Sequence, residues 1–578
     1  MEEKWMVAAK KADFAKLAKE FGIDQVTARL IRNRDVVGEE AVRLYLNGSL
    51  QDLHSPHLLK DCDRTAAILQ EKIRGERKIR IIGDYDIDGV NASYILYRGL
   101  ARCGAQVDVD IPDRIRDGYG INEHLIEKAW EAGVDTILTC DNGIAAVSEI
   151  AHAKKLGMCV LVTDHHEPQQ ILPPADTIVN PKQEDCPYPY KNLCGAFVAY
   201  KLVEVLYERF QIPEEEALPL IENVAVATVG DVMDLTEENR IVVKEGLRRL
   251  KHTENLGMRA LIEANGLKDA ELSAYHIGFV LGPCINATGR LDTAKRALKL
   301  LLAKSEEEAH TLAEELKELN DERKDMTQIW LSKGLELIEN TELKQDRVLV
   351  VYLPECHESL AGIIAGRIRE RYYKPVFVLT DSEGFVKGSG RSIEAYNMFR
   401  EMEKIQDVFT KFGGHPMAAG LSLEASRVDE FRRRINEAAT LTEEELTPKI
   451  LIDVAMPLDY IREELIAELS LLEPFGKANT KPVFADRKLE ILDLRIIGKN
   501  RNVLKMQVKN GNGCVMDALY FGDIDRFRAY VEQKFGMEEA EKMFLGRSSG
   551  VRLSMTYYPS VNEFRGNRTL QIVIQNYQ

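Results

Sequence analysis

The chain has 578 residues, 45% of them apolar and 29% charged, with a formal net charge of −16. That length exceeds one ordinary core and predicts three or four domains, and the apolar fraction excludes a disordered chain. Nine scattered cysteines without a CxxC pair argue against a zinc knuckle or a disulfide framework. They fit a reducing cytoplasm, and the lack of a leader-like segment or an 18-residue apolar run argues against secretion or a membrane span.

The acidity alone speaks against a nucleic-acid partner. It is unevenly spread, however. Residues 481–578 carry 16 Lys and Arg against 11 Asp and Glu, a net of +5, which leaves −21 for the first 480. Part of that acidity is expected to hold cations rather than face solvent.

In chain order, residues 1–76 read as an amphipathic helical segment. Next, "KIRIIGDYDIDG", "VDTILTCDNGI" and "MCVLVTDHHEP" are short apolar runs that each end in acids. Helix-like stretches separate them, which predicts βαβ units and a parallel sheet over 77–235. Residues 236–345 read as a helical extension and a long connector, formed by one helix or by two stacked ones. A second α/β lobe is expected over 346–445, closing with "FGGHPMAAGLSL". Over 446–578, alternating β-branched strands predict a small barrel of oligonucleotide-binding (OB) type. The expected fold class is thus α/β, with two α/β lobes joined by a helical connector and followed by a β-barrel.

Open parallel sheets bind ligands beyond the carboxyl ends of their strands. Three successive strand ends deliver Asp84, Asp86 and Asp88, then Asp141, then Asp164, His165 and His166. Asp-Gly and Asn-Gly also make turns, but three acid-bearing ends in register exceed what turns require. "ATVGDVMDL" adds Asp231 after a further apolar run, while Asp234 reads better as a turn or cap acid. Carboxylates with imidazole and no thiolate suit Mn²⁺ or Mg²⁺. So many ligands fit two cations sharing a carboxylate, the arrangement that hydrolyses phosphoesters.

"GDYDIDG", "CDNG", "TDHHEP" and "GDVMDL" resemble the motifs of the DHH phosphoesterase superfamily, and "GGHPMAAG" and "GSGRS" resemble its associated substrate-binding domain. Within it, the chain is similar end to end to the bacterial single-stranded-DNA exonucleases. The resemblance implies 5′→3′ hydrolysis of single-stranded DNA to 5′-mononucleotides, in repair and recombination. It implies two divalent cations, with Asp84 and Asp86 on one, Asp88, His165 and Asp231 on the other, and Asp141 bridging. His166 would face the scissile phosphate. Arg290, Ser389, Arg391 and His415 would hold substrate phosphates, with Asn286, His357, Gly390 and Gly414 beside them. The family also suggests a monomer, with a single-stranded-DNA-binding protein and a RecQ-type helicase as partners. Other readings are a phosphodiesterase of nanoRNA or cyclic dinucleotides, and a non-catalytic replication scaffold. A complete set of acids and histidines opposes the scaffold. The basic tail favours a polymer substrate.

Overall fold

The computed structural model describes residues 3–578 apart from 115, 116, 119, 383, 548 and 565 and the side chain of Phe564. The chain forms two compact units. The larger comprises Leu53–Met233 and Ile241–Pro448, the smaller Glu3–Asp52, Asp234–Arg240 and Lys449–Gln578. The expected N-terminal segment 1–76 is therefore divided. Its helix Cys62–Arg74 packs in the larger unit, on the helix Gly195–Phe210. Residues 3–52 belong with the tail: the strand Lys4–Val7 pairs in parallel with Lys449–Ile452.

The larger unit holds the parallel sheet. Its strands lie in the order Gln106–Asp110, Lys78–Ile82, Thr136–Cys140, Cys159–Thr163, Thr177–Val179. The chain steps to one side of Lys78–Ile82 and then crosses to the other, so the order reverses between Lys78–Ile82 and Thr136–Cys140. A crevice opens at such a reversal, and these two strands end at Ile82 and Cys140, just before Asp84 and Asp141. Strand Thr136–Cys140 is buried throughout, as a central parallel strand must be.

The helix Ile87–Arg102 is buried along most of its length, and so is Gly195–Phe210. The apolar run before Asp231 is a helix, Ile221–Gly230, and Asp231 follows its C-terminus. A continuous apolar run looks alike in helix and strand.

The connector is one helix, Glu306–Asn340, capped by Ser305 and about 52 Å long at 1.5 Å per residue. It packs on the helix Gly282–Leu291 and on the helix Glu358–Tyr372 of the second lobe. That lobe has a five-stranded sheet in the order Lys411–His415, Ala418–Leu423, Phe385–Arg391, Val376–Ser382, Leu349–Tyr352. Only the last pair is parallel.

In the smaller unit, Phe484–Ile497, Val503–Lys509, Val515–Tyr520, Asn567–Tyr577 and Arg552–Phe564 pair in that order, and Phe484–Ile497 pairs with Arg552–Phe564 to close the ring. Two helices, Ile524–Phe535 and Met537–Phe544, intervene before the last two strands. This five-stranded closed barrel is the OB arrangement. Phe484, Tyr520 and Tyr557 fill its core, whereas Phe521 is exposed.

Candidate metal centre and phosphate pocket

Asp86 starts the helix Ile87–Arg102 as its N-cap, with Oδ1 accepting from the backbone N–H of Asp88 (2.9 Å) and Gly89 (3.1 Å). This turn folds Asp84 and Asp86 toward Asp141. Asp141 has φ +61°, a left-handed conformation tolerated by Asp, and it sits against Gly195. A Cβ on Gly195 would lie 2.7 Å from the Asp141 Cβ, so glycine is required there.

Asp164 organises the histidines. Its Oδ1 accepts from the backbone N–H of His165 (2.7 Å) and His166 (3.1 Å) and lies 2.8 Å from His166 Nδ1. Its Oδ2 accepts from the Ile144 N–H (2.9 Å). Asp164 is therefore a positioning residue and His166 its client.

Three groups offer ligand atoms mutually within 4.8 Å: Asp84, Asp86 and Asp141; Asp88, His165 and Asp231; and Asp141, His165 and His166. Asp141 is shared, and its Oδ1 lies 3.0 Å from His165 Nε2. Asp88 does a second job. Its carboxylate accepts from the N–H groups of Gly195 (2.6 Å) and Ala196 (2.7 Å), which anchors it at the N-terminus of Gly195–Phe210.

Burial, and then neighbouring carboxylates, raise the pKa values of Asp84, Asp86 and Asp141. Burial lowers His165 to about 4 and so keeps it neutral and ready to ligate. Burial also acts to lower His166, but its bond to Asp164 and the surrounding carboxylates outweigh this and carry it up to about 9. Asp84 Oδ1 and both His165 ring nitrogens are buried without a hydrogen bond among the described residues. Crowded carboxylates, a neutral imidazole and orphaned donor atoms fit hard divalent cations.

Beside this cage, Arg114, Arg290, Arg391 and Ser389 line a cavity of about 320 Å³. Burial, and then the charges of Arg114, Arg323 and Arg391, lower Arg290 to about 10. Arg391 is also lowered, by burial and then by Arg369 and Arg114. The carboxylates that line this cavity are ion-paired: Glu358 lies 2.9 Å from Lys387, and Glu370 3.4 Å from Arg367, which lines the cavity with it. Guanidiniums gathered in this way make an anion pocket. The Arg290 Nη1 also donates to the Ser359 carbonyl (2.8 Å) and so joins the two lobes. Arg114 lies 5.1 Å from the Tyr85 ring, and Tyr85 stands between Asp84 and Asp86.

Other residues singled out in the sequence have defined settings. Asn286 Oδ1 accepts from the Ile87 N–H (2.8 Å) and braces the acid-bearing turn. His357 caps Glu358–Tyr372, with Nδ1 2.7 Å from Ser359 Oγ. Gly390 turns away from Ser389 and Arg391, and a Cβ there would meet Met398 Sδ at 2.4 Å. His415 is exposed at the hairpin end with Gly414, while Lys411 and Gly413 of the same strand line an adjoining cavity of about 540 Å³. Asp234 sits in the smaller unit, 3.2 Å from Lys477. The sequence reading missed Arg114. The loop "PDRIRDGYGIN" carries no local signal that Arg114 turns inward.

A parallel sheet with acid-lined strand ends, joined to a second lobe that adds Ser389 and Arg391 to an arginine-lined cavity, defines a DHH-type phosphoesterase. The family model of the DHH N-terminal domain matches residues 78–228, that of the DHHA1 domain 345–440, and that of the RecJ OB domain 452–576. The chain is 36% identical over 578 residues to the single-stranded-DNA-specific exonuclease RecJ of Bacillus subtilis, covering 99% of this chain and 70% of that protein. It is 34% identical to RecJ of Salmonella typhimurium, over 90% of each. The crystal structure of RecJ in complex with Mn²⁺ from Thermus thermophilus superposes with a TM-score of 0.83 at 28% identity, covering 100% of this chain and 79% of that one. The chain belongs to the RecJ family.

Proposed function

We infer that this protein is a metal-dependent single-stranded-DNA exonuclease that works 5′→3′ and releases 5′-mononucleotides. The observation that carries the reading is a shared-carboxylate cage and a guanidinium pocket in one compact unit, linked by Arg114 of the pocket, which lies 5.1 Å from the ring of Tyr85 between Asp84 and Asp86. Asp84, Asp86 and Asp141 would hold one Mn²⁺ or Mg²⁺, and Asp141, Asp88, His165 and Asp231 the other. Cations held there supply Lewis acidity that makes water nucleophilic near neutral pH and offsets charge on the phosphodiester.

The remaining work falls to the chain. Arg114, Arg290, Arg391 and Ser389 take the terminal phosphate and fix the strand end. His166, held charged by Asp164 and half exposed, donates to an oxygen of the scissile phosphate. The OB barrel supplies a surface for the following nucleotides, which favours a polymer over a dinucleotide. A role in repair and recombination, a cytoplasmic monomer and partnership with a single-stranded-DNA-binding protein and a RecQ-type helicase are proposed with it, on family grounds.

The test uses 5′- and 3′-labelled single strands, duplexes and dinucleotides with Mn²⁺, with products sized over time. Early release of labelled mononucleotide from 5′-labelled single strands alone is expected. Early release from the 3′ label, or cleavage confined to dinucleotides, overturns the reading.

A further inference from the structure

A cavity in the larger unit lies apart from the cage and from the arginine pocket. It measures about 1010 Å³ and opens to solvent. One wall is aromatic and apolar: Tyr94 and Tyr207 are buried and Tyr97 half-buried beside them. The rim is mainly cationic. Arg98 and Lys304 are exposed there, and neither has an ion pair among the described residues; His252 and the exposed acid Glu254 lie beside them. Other cations on this surface are already matched: Arg102 lies 2.6 Å from Glu216 and Arg249 2.7 Å from Glu245.

An aromatic wall beside unmatched positive charge is the complement of a base joined to a phosphate. We propose that this cavity is a second, non-catalytic site for a nucleoside monophosphate. Arg98, His252 and Lys304 take the phosphate, and Tyr97 takes the base. The class of molecule is the one released by the reaction inferred above. Binding itself does not depend on that reading.

The site is wired to the cage by two helices. Ile87–Arg102 starts at Asp86 and carries Tyr94, Tyr97 and Arg98 further along. Ile221–Gly230 ends at Asp231 and presents Glu222 and Asn223 to the cavity. The Asn223 Nδ2 donates to Asn91 Oδ1 (2.8 Å), and Asn91 Nδ2 donates to the Ile87 carbonyl (2.7 Å). Occupancy that shifts either helix is thus felt at Asp86 or Asp231, members of two of the ligand groups. Such coupling must be measured as a change of one site by the other.

The experiment titrates dAMP into the full-length, Mg²⁺-loaded protein by calorimetry and follows initial rates on labelled single strands. Two dAMP sites are expected. Arg98→Glu with Lys304→Glu should weaken one by about tenfold or more, and Arg391→Ala should weaken only the other. Tyr97→Ala reports on the base half and inorganic phosphate on the anion half. Because Arg98 and Lys304 are exposed, an unchanged melting temperature is expected for their variant. In the wild type, dAMP should alter the rate with a saturable, non-competitive component that the Arg98/Lys304 variant lacks. One site in the wild type, or two unchanged sites in that variant, overturns the proposal. Phosphate binding the cavity as tightly as dAMP removes the nucleotide and overturns it too.

Discussion

Asp141 is common to two of the three ligand groups, so its loss should reach both cations at once. Asp141→Asn is expected to cut turnover by about 10³-fold or more while keeping the fold, because it also relieves like-charge crowding against Asp88, Asp86 and Asp84. Thermal melts with and without Mn²⁺ separate the two effects. The wild type should gain stability on adding metal, on the order of 2–3 kcal/mol at a hundredfold excess over Kd, and the variant should gain little. Full turnover by folded Asp141→Asn protein sinks the shared-ligand reading. His166 and Asp164 form a second unit of function. His166→Ala and Asp164→Asn should each slow turnover by about 10²-fold, and the double variant should be no slower than either single one, since Asp164 acts through His166. Calorimetry should still count two cations in His166→Ala, and the loss of one would make His166 a ligand. The acids and histidines were legible because apolar strands run straight into them. Asp88's anchoring job was not, since its N–H partners at Gly195 and Ala196 lie 107 and 108 residues away.

At the scale of elements, Asp110 closes the edge strand Gln106–Asp110 and ties two helices to it, with its carboxylate 2.7 Å from Lys128 and 2.5 Å from Lys295. Burial pushes its carboxyl up, but the two lysines outweigh burial and leave it below the ordinary aspartate value. A folded pKa below the unfolded one means that the unfolded chain takes up the proton first as the pH falls. The contribution is therefore whole above the unfolded value and fades as the pH drops through the folded one. Asp110→Asn should cost about 1–3 kcal/mol at pH 7, and the gap in melting temperature from the wild type should narrow as the pH falls through the aspartate range. A gap independent of pH would show that the lysines contribute nothing. Gly195→Ala tests the packing of a helix start on the cage. The added methyl must displace Asp141, and kcat should fall on the order of 10²-fold for a shift near 1 Å. The parallel sheet could be anticipated from the βαβ rhythm, whereas its order and its edge strands Gln106–Asp110 and Thr177–Val179 could not. The helical setting of Asp231 could not, because "ATVGDVMDL" has no period to distinguish helix from strand.

For the whole molecule, the division into two units changes how the OB barrel can be removed. Leu30, Ile31, Val42, Tyr45 and Leu46 share one core with Phe484, Leu489 and Tyr557. The buried Arg240 guanidinium donates to the carbonyls of Tyr45 (2.8 Å), Leu472 (2.9 Å) and Leu471 (2.8 Å). No local pattern announces a partnership between the two ends of the chain, which is why 1–76 read as one segment. Cutting the chain after residue 448 would strip the cover from the first five of these side chains, and aggregation is expected. The informative truncation spans 53–448, which keeps both sheets, the cage and the arginine pocket. It should still hydrolyse a dinucleotide, and it should bind a long single strand more weakly than the whole chain does. Phosphate contacts release counterions, so the full chain's affinity for the long strand should fall with salt by a slope of about −0.7 per contact, and the 53–448 chain should show a shallower slope. Michaelis constants on a dinucleotide and a long single strand at two salt concentrations decide the matter. An equal loss on both substrates, or an unchanged salt slope, would make the barrel a structural partner of residues 3–52 and leave the strand to the arginine pocket alone.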